Sequence, residues 1–113
     1  MMISLFDPIR TGDIELANRI VMAPLTRNRA SAGQVPNQLM VDCYTQRANP
    51  ATGAGLIVTE ATQISRQGQG YLDTPGLFNS PQVAGSRRIA DAGRRHDGRL
   101  SAGGFSARWA ACG

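Results

Sequence analysis

The chain contains no lysine: its twelve cationic side chains are all arginine, set against eight acids in 113 residues. Residues 1–92 hold eight Arg and seven acids, a net of +1, and residues 93–113 hold four Arg and one acid, a net of +3. A basic tail of that kind can meet nucleic acid or an anionic surface. No interleaved aromatics, zinc spacing or nucleic-acid motif stands beside it, so it reads as solvated charge and no nucleic-acid partner is expected. Cysteine and histidine are as scarce. Cys43 and Cys112 lie far apart and His96 is the single histidine, which leaves neither a disulfide framework nor a set of metal ligands. No apolar run approaches the roughly 18 residues of a membrane span. The opening Met1–Asp7 lacks a charged segment followed by an apolar core, so a signal peptide is not expected and a cytoplasmic location is.

What the chain does have is two short apolar runs, Ile20–Thr26 and Leu56–Thr62. Each breaks abruptly into small and polar residues at its C-terminal end. A strand buried on both faces reads as a continuous apolar run, the signature of a parallel sheet. In parallel α/β folds ligands sit beyond the carboxyl ends of the strands. Pro24, Leu25 and Thr26 in the first run, and Glu60, Ala61 and Thr62 in the second, stand at those ends. Glu60 in a buried strand end is unusual unless paired, because burying a lone charge is unfavourable. It reads as structural, bonded to an arginine or to backbone amides.

Around the runs the elements follow from local chemistry. Leu5–Ile9 and Asp13–Leu16, with Thr11-Gly12 between, predict a hairpin with Ile14 and Leu16 on its buried face. Asn37 caps a helix whose apolar face carries Leu39, Met40, Cys43 and Tyr44, and Pro50 closes it near Arg47–Asn49. Ser65–Asn79 is a long Gly/Gln-rich loop, the kind of segment that carries function. Ser80 as N-cap with Pro81 in the first turn starts a second helix over 82–92, with Val83, Ile89 and Ala90 inside. Beyond residue 92 the periodicity stops: fifteen of the last 21 residues are Gly, Ala, Arg or Ser. The glycines at 53, 55, 68 and 70 do not form a phosphate loop.

The wording of the strand ends goes further. Asn18-Arg19-Ile20-Val21-Met22-Ala23-Pro24-Leu25-Thr26-Arg27 resembles the first barrel strand of the Old Yellow Enzyme family of FMN-dependent ene-reductases. Gly55-Leu56-Ile57-Val58-Thr59-Glu60-Ala61-Thr62-Gln63-Ile64-Ser65 is similar to that family's second strand, and Tyr44–Ala48 and Gly70–Gly76 fall in the same order. The resemblance implies an α/β chain forming the N-terminal portion of a (β/α)8 TIM barrel: an N-terminal hairpin, which would plug the barrel floor, and the first two βα units. A whole barrel needs about 250 residues, so the expected piece is truncated. Residues 1–92 are assigned to the FMN-binding barrel and 93–113 to a divergent tail, either frameshifted or a genuine disordered tail. Our hypothesis for that tail is a reading-frame shift near residue 93, motivated by the abrupt loss of apolar pattern. Translation of the other two frames downstream is its check, and failure of both to restore a Gln-Leu-Trp-His-like strand refutes it.

By the same resemblance, Ala23, Pro24 and Leu25 make backbone contacts to the flavin, and Thr26 donates its hydroxyl to a flavin carbonyl. Ala61 touches the flavin beyond the second strand, and Tyr71 lines the substrate cavity. Taken singly, Pro24 could merely end a strand, Thr26 be a loop hydroxyl and Tyr71 a loop aromatic; it is the set at family spacing that favours function. The family's substrate-anchoring and proton-donating residues match no position here, so no catalytic residue is assigned, and His96 and Cys43 are read as unrelated to the site. Ser86 stands where the family usually has tryptophan, which removes an apolar anchor. The implied activity is reduction of the alkene in α,β-unsaturated carbonyl compounds, with FMN as cofactor and NAD(P)H as reductant. Its partner is a small enone-type substrate, with no membrane involved, and the oligomeric state is open. The isolated fragment is expected to be inactive. The alternative is a small basic interaction module with an Arg-rich tail, whose binding would be salt-sensitive.

Overall fold

A computed structural model describes residues 2–49, 51–96 and 105–106. Strands β1 (Ile9–Thr11) and β2 (Ile14–Leu16) pair antiparallel around a two-residue turn in which Gly12 has φ of +61°. That left-handed value is where a residue without a Cβ is at ease, and the primed hairpin turns demand it. The hairpin forms later than predicted. Leu5 and Phe6 lie in a turn rather than a strand, held as Ser4 donates its N–H to Asp7 Oδ2 at 2.8 Å. Only Leu16 of the expected buried pair is covered, while Ile14 is exposed.

The two apolar runs give β3 (Val21–Met22) and β4 (Leu56–Val58), which pair in parallel with Val21 opposite Leu56 and Met22 opposite Ile57. A further strand, β5 (Phe105–Ser106), adds in parallel on the other edge of β4. β3 is shorter than its run, because Pro24 has no N–H to give a ladder. The expectation of burial on both faces holds for one face only. Met22 and Ile57 point toward the helices, and Ile57 is fully buried; on the opposite face Val21 is 53% exposed and no described element covers it.

Helix α1 (Gln38–Arg47) starts as predicted, with Asn37 Oδ1 accepting from Met40 N at 3.1 Å. Its inner face is Met40, Val41 and Tyr44; Leu39 is exposed and Cys43 only half-buried, so the predicted face is rotated by part of a turn. Helix α2 (Ser80–His96) begins one residue earlier in its capping: Asn79, not Ser80, accepts from Gln82 N at 3.0 Å. It runs to His96, past the predicted end. Gln82, Gly85 and Ile89 form its buried stripe, while Val83 lies on the neighbouring, exposed stripe and Ala90 is half-buried. Gly85 lets α2 approach the chain at Pro36, where a Cβ would fall 2.7 Å from the Pro36 carbonyl oxygen. The core of Ala30, Met40, Val41, Tyr44, Ala48, Ala54, Ile57 and Ile89 thus joins both helices to β4. The predicted tail from residue 93 lies mostly outside the described residues.

Candidate functional site

Parallel pairing carries both chains out of the sheet at the same end. Ala23–Thr26 leave β3 there and Thr59–Ala61 leave β4 beside them. Ala23, Pro24, Leu25 and Thr26 are exposed, Leu25 by 60%, and Ala61 is half-buried. Among the described residues no hydrogen bond engages the Thr26 hydroxyl. The structure therefore brings five of the six predicted site residues to one edge, which we call the lip. Tyr71 is 66% exposed and lies in the loop after a 3-10 turn at Arg66–Gly68. That loop is joined to the chain beyond the lip, since Ala30 N donates to the Asp73 carbonyl at 2.9 Å, but no described contact brings Tyr71 onto the lip itself.

Beneath the lip, Glu60 is paired as its burial requires. Its Oε2 accepts from the Arg27 backbone N–H at 3.2 Å and its Oε1 accepts from the Tyr44 hydroxyl at 3.0 Å. The Glu60 N–H donates in turn to the Tyr44 oxygen at 3.0 Å. The expected structural role is thus met by a backbone amide and a tyrosine. Burial pushes the Glu60 carboxyl up from its ordinary value, opposed by the bonds from Arg27 and Tyr44 and by the charges of Arg27 and Arg29. Burial likewise pushes the Tyr44 phenol up, to which the Glu60 charge adds. An apolar cavity of about 280 Å³ opens beside this pair, lined by Met40, Tyr44, Leu77, Ser86 and Ile89 among others.

Reading by periodicity placed Tyr44 in the core and missed its hydroxyl. It also missed a glutamine network that ties the two loops of the same end. Gln63 Nε2 donates to Gln34 Oε1 and to the Thr74 carbonyl, both at 2.9 Å, and Gln34 Nε2 donates to Gln69 Oε1 at 2.8 Å. Gln82, fully buried, donates to the Gly33 carbonyl at 3.0 Å and accepts from Phe78 N at 2.9 Å. The only hint was the glutamine content of the 65–79 loop. Among the described residues no group of His, Cys, Asp or Glu could hold a metal ion, and no helix is long and apolar enough to cross a membrane. The arrangement is chemically a binding edge: exposed backbone, one hydroxyl donor and small side chains, with no nucleophile and base in contact.

Comparison with known proteins follows the same line. A family model described as the NADH:flavin oxidoreductase / NADH oxidase family matches residues 4–101. Chanoclavine-I aldehyde reductase of Penicillium roqueforti is 49% identical over 92 residues, covering 80% of this chain and 24% of that protein. 12-oxophytodienoate reductase 1 of Oryza sativa subsp. japonica is 41% identical over 113 residues, covering 91% of this chain and 29% of that one. The solved old yellow enzyme homologue from Zymomonas mobilis superposes with a TM-score of 0.77 at 43% identity, covering 92% of this chain and 27% of that one. Morphinone reductase in complex with tetrahydroNAD gives 0.78 at 38%, covering 94% and 26%. The chain spans about a quarter of the length of the relatives it matches. Its α/β fold is the corresponding part of their (β/α)8 barrel, with no closed barrel among the described residues. These likenesses lend nothing to the reading as a basic interaction module.

Proposed function

The chain belongs to the NADH:flavin oxidoreductase / NADH oxidase family, and we propose that it contributes the flavin-facing lip of an FMN-dependent oxidoreductase that reduces α,β-unsaturated carbonyl compounds with NAD(P)H. One observation carries this reading: β3 and β4 end side by side and present the exposed Ala23–Thr26 next to the half-buried Ala61, the two tied through Glu60. The residues fit a flat, electron-accepting ring. Exposed backbone at Ala23, Pro24 and Leu25 gives a surface for its face, and the small Ala61 lets the second strand end come close. The Thr26 hydroxyl, uncommitted among the described residues, is placed to donate to a ring carbonyl. A donor there stabilises the negative charge of the reduced ring. FMN, when bound, supplies the hydride-carrying chemistry. Tyr71, on the adjoining loop, would bound the substrate side. None of these residues delivers a proton; the lip binds and tunes. By itself the chain is expected neither to retain FMN nor to oxidise NAD(P)H.

The test is a chimera in which residues 4–92 replace the matching segment of the Zymomonas mobilis homologue. The expected product is a yellow, flavin-loaded protein that reduces an enone. In it, Thr26→Val lowers the flavin midpoint potential. A hydrogen bond to a charged group is worth about 1.5–3 kcal/mol, which corresponds to roughly 30–60 mV for a two-electron couple. A chimera that folds without binding FMN, or a potential indifferent to Thr26→Val, overturns the reading.

A further inference from the structure

We propose that Glu60 is the positioning residue of the lip, its carboxylate locked by Tyr44 so that it fixes where Thr26 stands. The inference rests on the reading of Ala23–Thr26 and Ala61 as flavin-facing. Between Met22, the last residue of β3, and Arg29, the one hydrogen bond among the described residues that anchors the chain is Arg27 N–H to Glu60 Oε2. The next anchors come later, where Asn37 Nδ2 donates to the Arg29 carbonyl at 2.6 Å and Ala30 donates to the Asp73 carbonyl. Arg27 directly follows Thr26, and Ala61 directly follows Glu60. A single carboxylate therefore joins the two halves of the lip.

Its orientation is set from behind. The Tyr44 hydroxyl accepts from the Glu60 backbone and donates to Oε1, closing a ring that leaves Oε2 directed at Arg27. Tyr44 is itself held in the core of α1, 2% exposed, and Glu60 is 1% exposed. A residue needed only to fill the core would be apolar, because a buried carboxylate carries a desolvation penalty. Both oxygens of Glu60 are committed to partners, and one of those partners is the lip.

The experiment follows amide hydrogen exchange in the full chain, without flavin, for the parent, Tyr44→Phe, Glu60→Ala and Glu60→Gln. Two amides are compared: Arg27, at the lip, and Gly55, which donates to the Ile20 carbonyl at 2.9 Å at the opposite end of the strands. Tyr44→Phe keeps the ring in the core yet frees the carboxylate to swing, so Arg27 exchange is expected to rise about tenfold, the scale of one hydrogen bond, while Gly55 stays near its parent rate. Glu60→Ala should do at least as much. Glu60→Gln retains an acceptor for the Arg27 N–H and should restore slow exchange there. In the chimera, Tyr44→Phe should move the flavin potential in the same direction as Thr26→Val. Arg27 exchange unchanged in Tyr44→Phe and Glu60→Ala overturns the inference, and so does a parallel rise at Arg27 and Gly55, which would mark Glu60 as mere core support. A flavin that responds to Thr26→Val but not to Tyr44→Phe also overturns it while leaving the lip reading intact. A chimera that binds no FMN defeats the lip reading alone, since the exchange measurement needs no flavin.

Discussion

Replacing Ser86 by tryptophan tests how the helices close over β4. Ser86 is half-buried on α2 and lines the cavity of about 280 Å³ with Met40, Tyr44, Leu77 and Ile89. No hydrogen bond among the described residues uses its hydroxyl. Serine and tryptophan have similar helix propensity, so a change in stability reports on packing. A tryptophan buries about 150–250 Å², which at about 25 cal/mol/Å² amounts to roughly 4–6 kcal/mol if covered completely. The cavity is open on one side, so we take half, about 2–3 kcal/mol. Correcting for a compact unfolded chain and for the ordering of the indole leaves about 1 kcal/mol. For a domain near this size that raises the thermal midpoint by about 4–8 °C, followed by far-UV circular dichroism with Ser86→Ala as the control. A Ser86→Trp midpoint at or below that of Ser86→Ala refutes the reasoning. Overpacking, which typically costs about 1–3 kcal/mol, would then outweigh the added contact.

Two further outcomes follow from the same contacts. Gly85→Ala gains helix propensity of about 1 kcal/mol, but its Cβ would meet the Pro36 carbonyl oxygen at 2.7 Å and the proline ring at 3.0 Å, so urea titration should show net destabilisation. A higher midpoint would mean that α2 does not approach Pro36 so closely. For Glu60 the sign with pH is set by burial, which raises its folded value above the unfolded one. Its contribution is then fully present below the ordinary glutamate range near 4.5 and is lost as pH rises through the raised value. The stability of the parent minus that of Glu60→Gln should fall as pH increases from about 4, below the ordinary glutamate range, toward neutrality. A difference that grows with pH reverses the assignment.

The parts of the fold that were legible in sequence are those fixed by neighbours along the chain. Asn37 caps α1 because its side chain reaches Met40 N three residues on, and Gly12 turns the hairpin by its own backbone freedom. Burial was legible only as a period. The apolar residues of α1 admitted two adjacent faces, and contact with α2 and β4 selected Met40, Val41 and Tyr44 over Leu39. Val21 reads as buried in any apolar run, yet whether its face is covered depends on what lies across the sheet.

The arrangement of the lip lay further out of reach, because its determinants are polar and distant in sequence. Tyr44 and Glu60 are separated by 16 residues and Arg27 and Glu60 by 33, and Gln82 reaches Gly33 across 49. A hydrophobic pattern marks Tyr44 as inward but carries no record of where its hydroxyl points. Yet a buried acid does leave a trace: Glu60 in an apolar run demands partners. What the fold adds is the choice of partner. The charges of Arg27 and Arg29 act on Glu60 without fixing the backbone beside it. The Arg27 N–H instead ties the Glu60 carboxyl to the backbone one residue from Thr26. That choice is what makes Glu60 informative about the lip rather than only about the core.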